Sequence, residues 1–175
     1  FSLRDFSRHL PQFLQAHRSF TDRAWLSQLA TFEWTLCDAF DAADAPVLTE
    51  LFLAGFAIED WPQLRFSVHP SLHRLDFSWN IPEMWQILTS DTPSEITAYE
   101  GEPSAWLVWR DGLITRFRSL PQDEHCALDC LCAGGNFTDI CTTLANHIAI
   151  DEVPFRAVTL LKTWLAQGLI SGAEM

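Results

Sequence analysis

Three groups of side chains in this 175-residue chain have types and spacings that chemistry can use. His69 and His73 stand four positions apart. On a helix that spacing puts two imidazoles on one face, as in a zinc-binding helix, and on a strand they share a face as well. Pro70 lies between them and the flanking residues alternate apolar and polar, so the segment reads as extended. Each ring then needs further ligands from elsewhere, and no cysteine or carboxylate stands at ligand spacing. A structural or interface role is the expectation for this pair. Cys126, Cys130 and Cys132 cluster beside His125. A thiolate next to an imidazole is the raw material of a nucleophile pair. The pattern C-x-x-x-C-x-C nevertheless lacks the paired C-x-x-C knuckles of a structural zinc site. Cys126 and Cys130, one helical turn apart, read as small apolar residues of a reduced core. Glu33 has no second carboxylate at a spacing that suggests an acid–base pair. Beyond plain solvation, its expected use is a contact to a partner's arginine. The run Ala133-Gly-Gly-Asn136 lacks the lysine and the strand-to-helix setting of a phosphate loop. No catalytic residue and no metal ligand set are therefore expected in this chain.

The elements that would position these groups fall into two expected halves, residues 1–62 and 63–175. Leu3, Phe6, Leu10, Phe13 and Leu14 form an apolar stripe interrupted by Pro11. Leu29, Phe32, Leu36 and Phe40 recur at helical spacing, with Ala39 and Ala43 beside them, in a helix expected to be capped by Asp22 and to run to about residue 44. Pro46 stops it. Asp38, Asp41 and Asp44 crowd its last turns, where acid opposes the helix dipole. A short third helix over 46–53, ended by Gly55, completes an expected antiparallel helical bundle.

Beyond residue 62 the period changes. Residues 64–69 alternate as a half-buried strand, 72–79 form a second extended segment, and 81–88 a short helix opened by Asn80 and Pro82. Residues 95–99 make another possible strand. Residues 105–118 read as a hairpin turning at Asp111-Gly112, with Leu113, Thr115 and Phe117 on one face and Ile114, Arg116 and Arg118 on the other. Three helical segments follow, over 122–133, 137–146 and 153–167. Asn136 or Thr138 is expected to cap the second and Asp151 the third, with Gly168 closing the third. The fold class expected is α+β: a helical bundle, a small antiparallel sheet, and a winged-helix-like C-terminal module.

The balance of charge excludes some partners. The net charge is −12 and Lys162 is the only lysine. Nucleic-acid affinity rests on neutralising phosphates, so neither nucleic acid nor an anionic membrane surface is expected to bind. No apolar run reaches the ~20 residues of a membrane helix, and the first residues lack the pattern of a signal peptide. The chain does not begin with Met, which leaves room for residues upstream. Five cysteines make an odd number and no framework of bridges, which suits reduced thiols and a cytoplasmic location. Eight Trp and thirteen Phe call for an aromatic core or an aromatic partner surface.

The stretch 29–46, LATFEWTLCDAFDAADAP, resembles the LA-x-x-EW-x-x-x-x-A-x-x-A-x-D helix of the HvfC/BufC family. Val68-His-Pro-Ser-Leu72, then Trp79, Ile81-Pro82 and Trp85, then Val108-Trp-Arg110, resemble further segments of that family in the same order. The larger family members carry an additional N-terminal domain, so the expectation is either the short methanobactin-biosynthesis branch or a longer member whose first domain lies upstream of these residues. The resemblance implies a non-catalytic subunit that pairs with a multinuclear iron-dependent oxidative enzyme. The pair would modify cysteines of a ribosomally made precursor peptide, to an oxazolone and an adjacent thioamide in the methanobactin case. Iron would belong to the partner and no cofactor to this chain. The order of strands and helices after residue 63 is also similar to the peptide-recognition element of peptide-modifying enzymes, which binds a leader as an added strand.

On that reading the leader is expected along Leu113, Ile114, Thr115, Arg116, Phe117 and Arg118. Val158, Leu161 and Leu165 would floor a groove beside that strand, with Arg116 and Arg118 meeting acidic leader residues. His69, Pro70, Ser71, Trp79, Trp85 and Glu33 are the expected enzyme interface. Two other readings stand beside it: a winged-helix DNA-binding regulator, which would need a basic recognition helix, and a stand-alone enzyme using the Cys/His cluster.

Overall fold

The computed structural model describes residues 7–92 and 94–175. Leu3 and Phe6 of the first apolar stripe lie outside the described residues. Helix α1 is Leu10–Ala16, with Pro11 tolerated in its first turn. Helix α2 is Trp25–Asp41. Its N-cap is Ala24 rather than Asp22 and carries no side-chain cap. The short α3 (Glu50–Leu53) and a 3₁₀ turn (Ile58–Gln63) follow. Then come β1 (Arg65–Val68), β2 (His73–Trp79), α4 (Ile81–Leu88), β3 (Glu100–Asp111) and β4 (Ile114–Leu120). Helices α5 (Gln122–Cys132), α6 (Phe137–Leu144) and α7 (Val153–Ala166) lead to a last strand, β5 (Ile170–Glu174).

The described residues form an α+β fold with two antiparallel sheets. One has the order β2-β3-β4 and the other pairs β1 with β5. The strand expected over 95–99 is irregular chain, and pairing begins at Glu100. Strand β5 had no counterpart in the sequence reading. Its residues 170–174 pair with β1 across a chain separation too long for local pattern to reveal.

The three-stranded sheet has a different core on each face. Strand alternation sends Phe77, Val108 and Phe117 to one side, where they meet Phe32 of α2 and Ile81 of α4. Phe32 is fully buried and edge-on to Phe77 (5.7 Å), Trp85 (5.8 Å) and Phe117 (5.1 Å). Leu107, Trp109 and Leu120 point the other way, into a larger core with α5, α6, α7, Leu64, Phe66 and Ile170. Helix α2 packs on α1 and also covers the sheet, and α3 packs against α7. Helix α2 comes from the first expected half, yet its core is shared with the sheet of the second.

The helix ends explain why the chain turns where it does. At α5, Gly134 N–H bonds Leu131 C=O and Gly135 N–H bonds Cys130 C=O; Gly168 and Leu169 repeat this on Leu165 and Trp164 after α7. Gly134 (φ +84°) and Gly168 (φ +70°) supply the left-handed residue that this closure requires. Asn136 and Asp139 form a reciprocal capping box on α6. Asp151 does not cap α7, whose N-cap is Glu152 without a side-chain bond. At the acidic end of α2, Arg110 donates to Phe40 C=O (2.8 Å) and to Asp44 Oδ1 (2.6 Å). A cation supplied by β3 thereby offsets the unfavourable acid there.

Candidate functional site

The site assembles where the edge of β4 passes α2. Asp111 and Ile114 pair across the two-residue loop Gly112-Leu113. Only Gly112 (φ +60°) has a positive φ, the pattern of a type II′ turn, so the loop sits one residue later than expected. Asp111–Ile114 is therefore a hydrogen-bonded pair, and alternation makes Trp109–Arg116 and Leu107–Arg118 the next ones. Thr115, Phe117 and Ser119 then direct their main-chain groups away from β3. Arg118 Nη1 donates to Ser119 C=O. Among the described residues no strand lies beyond β4, and no hydrogen bond reaches the outward main chain of Thr115 or Phe117.

The opposite edge is treated differently. By the same alternation Arg74, Asp76 and Ser78 of β2 face outward. Gln28 of α2 accepts from Ser78 N–H (3.1 Å) and donates to Ser78 Oγ (2.9 Å), filling the end of that edge with a side-chain amide.

Beside β4 runs a groove. A cavity of about 390 Å³ is lined by Leu36, Cys37, Phe40, Asp41, Trp85, Thr115 and Phe117. A neighbouring cavity of about 650 Å³ shares Leu36, Cys37, Asp41 and Trp85 and extends past Glu33 and Trp34 to Leu10 of α1. Helix geometry creates it. Leu29, Phe32 and Leu36 press on the sheet, and the adjacent stripe Glu33, Cys37 and Asp41, spaced four apart, overhangs the β4 edge. Thr115 Oγ1 donates to Leu36 C=O (3.3 Å), fixing the distance between helix and edge.

Glu33, Trp85, Thr115 and Phe117 are thus brought together, from sets expected to serve different partners. Trp85 stacks edge-on to Phe117 (5.6 Å) as well as Phe32, and its remaining surface lines both cavities. Trp79 is half-buried in the same core. The other expected residues lie elsewhere. Leu161 and Leu165 are 2% and 4% exposed and belong to the larger core, so they floor no groove; Val158, beside them on α7, is half-buried. Arg118 is bound to Glu124 through Nη1 (3.0 Å) and Nη2 (2.6 Å) and to Gln167. Arg116 pairs with Asp111 (3.0 Å) at the surface. Leu113 and Ile114 are exposed at the hairpin tip.

The His69-Pro70-Ser71 segment is a buried joint. His69 is 5% and Ser71 0% exposed, while Pro70 faces solvent. Ser71 N–H donates to His69 Nδ1 (3.2 Å), the Ser71 hydroxyl lies 2.8 Å from the same nitrogen, and Arg110 N–H donates to Ser71 Oγ (3.1 Å). Nδ1 accepts, so the ring is neutral with its proton on Nε2, toward the Ala45 main chain. Burial, and then the Arg110 charge, hold the His69 pKa below the ordinary histidine value, against Asp44 and Ala45. His73 lies apart, 3.6 Å from Asp38 and beyond hydrogen-bond reach. Burial lowers its pKa while Asp38 opposes.

All five cysteines are free thiols; Cys37 and Cys132 are exposed, and Cys126, Cys130 and Cys141 half-buried. Although the residue is exposed, desolvation of its sulfur raises the pKa of Cys132, against the attraction of Arg74, and burial raises that of Cys141, leaving both thiols protonated at neutral pH. Among the described residues no three His, Cys, Asp or Glu side chains gather as a metal site. Nor is any helix of the described residues long and apolar enough to cross a membrane. Comparison of the chain with protein-family models and with curated proteins found no match.

Proposed function

We propose that this chain is a non-catalytic peptide-recognition subunit. It binds the leader of a ribosomally made precursor peptide along β4 and presents the peptide's cysteines to a multinuclear iron-dependent oxidative enzyme. The observation that carries the reading is the asymmetry of the three-stranded sheet. One edge ends in the Gln28 amide, and the other is an open edge beside an apolar groove. Extended peptides bind such edges through main-chain hydrogen bonds, with pockets selecting alternate side chains. The LATFEWTLCDAFDAAD segment, helical through Asp41, supports the reading further, because it carries the family resemblance and supplies Glu33, Trp34, Cys37 and Asp41 to the groove.

In this proposal α5, α6 and α7 with the β1–β5 ribbon make the winged-helix-like module, and the protein works in the cytoplasm. Iron and the oxidation chemistry belong to the partner. A DNA-binding role is not favoured. Of the two cations on α7, Arg156 is bound to Asp123 (2.6 Å) and Lys162 faces Glu50 (3.8 Å).

Co-expression with an iron-dependent oxidase encoded nearby tests the assembly, and calorimetric titration of the precursor's leader into the purified chain tests recognition. Copurification of the oxidase and a leader affinity that Thr115→Pro weakens are expected. A leader that binds wild type and a folded Thr115→Pro variant equally would refute the site.

A further inference from the structure

The first helical arm differs from the rest of the molecule in charge. The whole chain has a net charge of −12. Beyond residue 24 its Lys and Arg side chains are already matched. Arg74, Arg110, Arg116, Arg118, Arg156 and Lys162 each face a carboxylate, and Arg65 donates to Gly134 C=O. The stretch 7–24 reverses the balance, with Arg8, Arg18 and Arg23 against the carboxylate of Asp22. These three arginines are exposed, and none forms an ion pair among the described residues.

The local fold sets them around aromatic rings. Phe13 N–H bonds His9 C=O and His17 N–H bonds Phe13 C=O, so His9, Phe13 and His17 share one face of α1. The Phe13 ring lies 5.1 Å from His17 and 6.3 Å from Phe20. Phe20 N–H bonds His17 C=O and Arg23 N–H bonds Phe20 C=O, two successive turns that leave Arg18 and Arg23 flanking Phe20. The arm is held from beneath. Helix α1 packs on α2, Ser27 Oγ donates to Pro11 C=O (2.9 Å), and Pro11, Leu14 and Phe20 are half-buried. Phe13 stays 53% exposed. Beside Phe20 a cavity of about 220 Å³ opens between Leu14, Thr21, Ala24 and Gln28.

We infer that residues 7–24 are a docking arm for an acidic segment of a second protein. That segment carries aspartate or glutamate around a large apolar side chain. The apolar side chain packs on Phe13 and reaches the cavity beside Phe20, and the carboxylates meet Arg8, Arg18 and Arg23. An apolar centre with a charged rim is the make-up of a small interface. The acidic remainder of the chain repels such a partner and so confines it to this face. Nucleic acid fits less well, because three arginines neutralise few phosphates and the net charge opposes a polyanion. Arg8, Phe13, Arg18 and Arg23 line neither cavity beside β4, so the two sites are tested separately.

The test uses fluorescence anisotropy on the full chain with a labelled synthetic peptide that sets glutamate and aspartate around leucine and phenylalanine. Binding at low salt that weakens at high salt is expected. Arg18→Glu with Arg23→Glu is expected to weaken it about tenfold or more without moving the thermal melt, since both side chains are exposed and unpaired. Arg18→Gln with Arg23→Gln, a milder change, is expected to weaken it about threefold. Phe13→Ser is expected to weaken it at low and high salt alike. Lys162→Glu, a charge reversal on α7, is expected to leave it within about twofold. An acidic peptide that fails to bind, or that binds the arginine variants as well as wild type, overturns the proposal. So does a loss with Lys162→Glu as large as that of the arginine pair, which would make the effect one of net charge. A single-stranded oligonucleotide that binds the arm more tightly than the peptide overturns a protein partner. Self-association in sedimentation that the arginine variants abolish assigns the arm to a second copy of this chain and overturns a separate partner.

Discussion

Replacing Arg118 by Met tests the buried ion pair at the end of β4. The Arg118 side chain is 24% exposed and that of Glu124 only 5%, and two guanidinium nitrogens reach the two carboxylate oxygens. Trp164 Nε1 adds a third donor to Glu124 at 2.9 Å, and Gln167 accepts from Arg118. Methionine fills much of the arginine stem's volume but leaves the carboxylate with Trp164 as its remaining charge-stabilising donor. Breaking one partner of a buried pair costs about 3–5 kcal/mol. Water reaches the partly exposed arginine, so the low end applies, about 3 kcal/mol. For a chain of this size that lowers the melting temperature by roughly 6–12 °C. Urea unfolding followed by tryptophan fluorescence is the assay, with an unchanged slope showing that the midpoint reports stability. Arg118→Met with Glu124→Leu removes both charges and is expected to recover most of the loss, to within about 1 kcal/mol of wild type. An Arg118→Met protein within about 1 kcal/mol of wild type would refute the reasoning, as would a double variant no more stable than the single.

Gly135→Ala places a methyl group 2.5 Å from Cys130 Sγ and 2.8 Å from its carbonyl oxygen, and is expected to cost about 1–3 kcal/mol in urea unfolding. Gly101→Ala, with nothing within 4 Å, is the neutral control. The neutral forms of His69 and His73 are favoured by the fold, so below the ordinary histidine pKa the unfolded chain takes up protons that the folded one refuses. Stability is therefore expected to fall as pH drops from about 6.5 toward the depressed folded values, and His69→Asn, which keeps an acceptor for Ser71, to flatten that slope. Asp123 acts in a more acidic window: the Arg156 hydrogen bond lowers its pKa, so its stabilisation is present above the unfolded carboxylate value and lost as pH falls through the folded one. Arg156→Met is expected to remove that acid-limb dependence in pH-resolved thermal melts. Gln28→Ala deletes both bonds to Ser78 and is expected to cost about 1–2 kcal/mol and to raise self-association, measured by sedimentation.

Local pattern made the hairpin, β2, α4 and the last three helices legible. Each carries its own period and punctuation: Gly112 at the turn, Asn136 at a cap, Gly168 at an end. The pairing of β5 with β1 was not legible, because Ile170 and Val68 are joined by register across the whole second half of the chain. The role of Arg118 was misread for a similar reason. Its partner Glu124 lies one turn into the next helix, and nothing in the residue types says that the carboxylate would be buried beside Trp164. For the groove, the signal was present but divided, with Glu33 assigned to the enzyme interface and Asp41 to an acidic helix end. Glu33, Cys37 and Asp41 follow one another at helical spacing next to the apolar stripe, and only the position of the sheet edge distinguishes a solvated face from a wall. His69 and Ser71 looked like surface recognition residues because the sequence cannot show that the turn between them folds inward onto Arg110.

The unequal edges of the β2-β3-β4 sheet bear on stoichiometry. A sheet open on both sides is a bifunctional monomer in the polymer chemist's sense: every strand added regenerates an acceptor, and growth has no natural end. Here Gln28 acts as a terminator at one side, since its amide occupies Ser78 and offers no extended main chain to copy. The sheet is left with one side capped at its Ser78 end and one side open beside α2. On the proposed function, a second molecule would use β4 only by excluding the peptide, so self-pairing and peptide capture would compete for one seat and titration is expected to saturate at one peptide per chain.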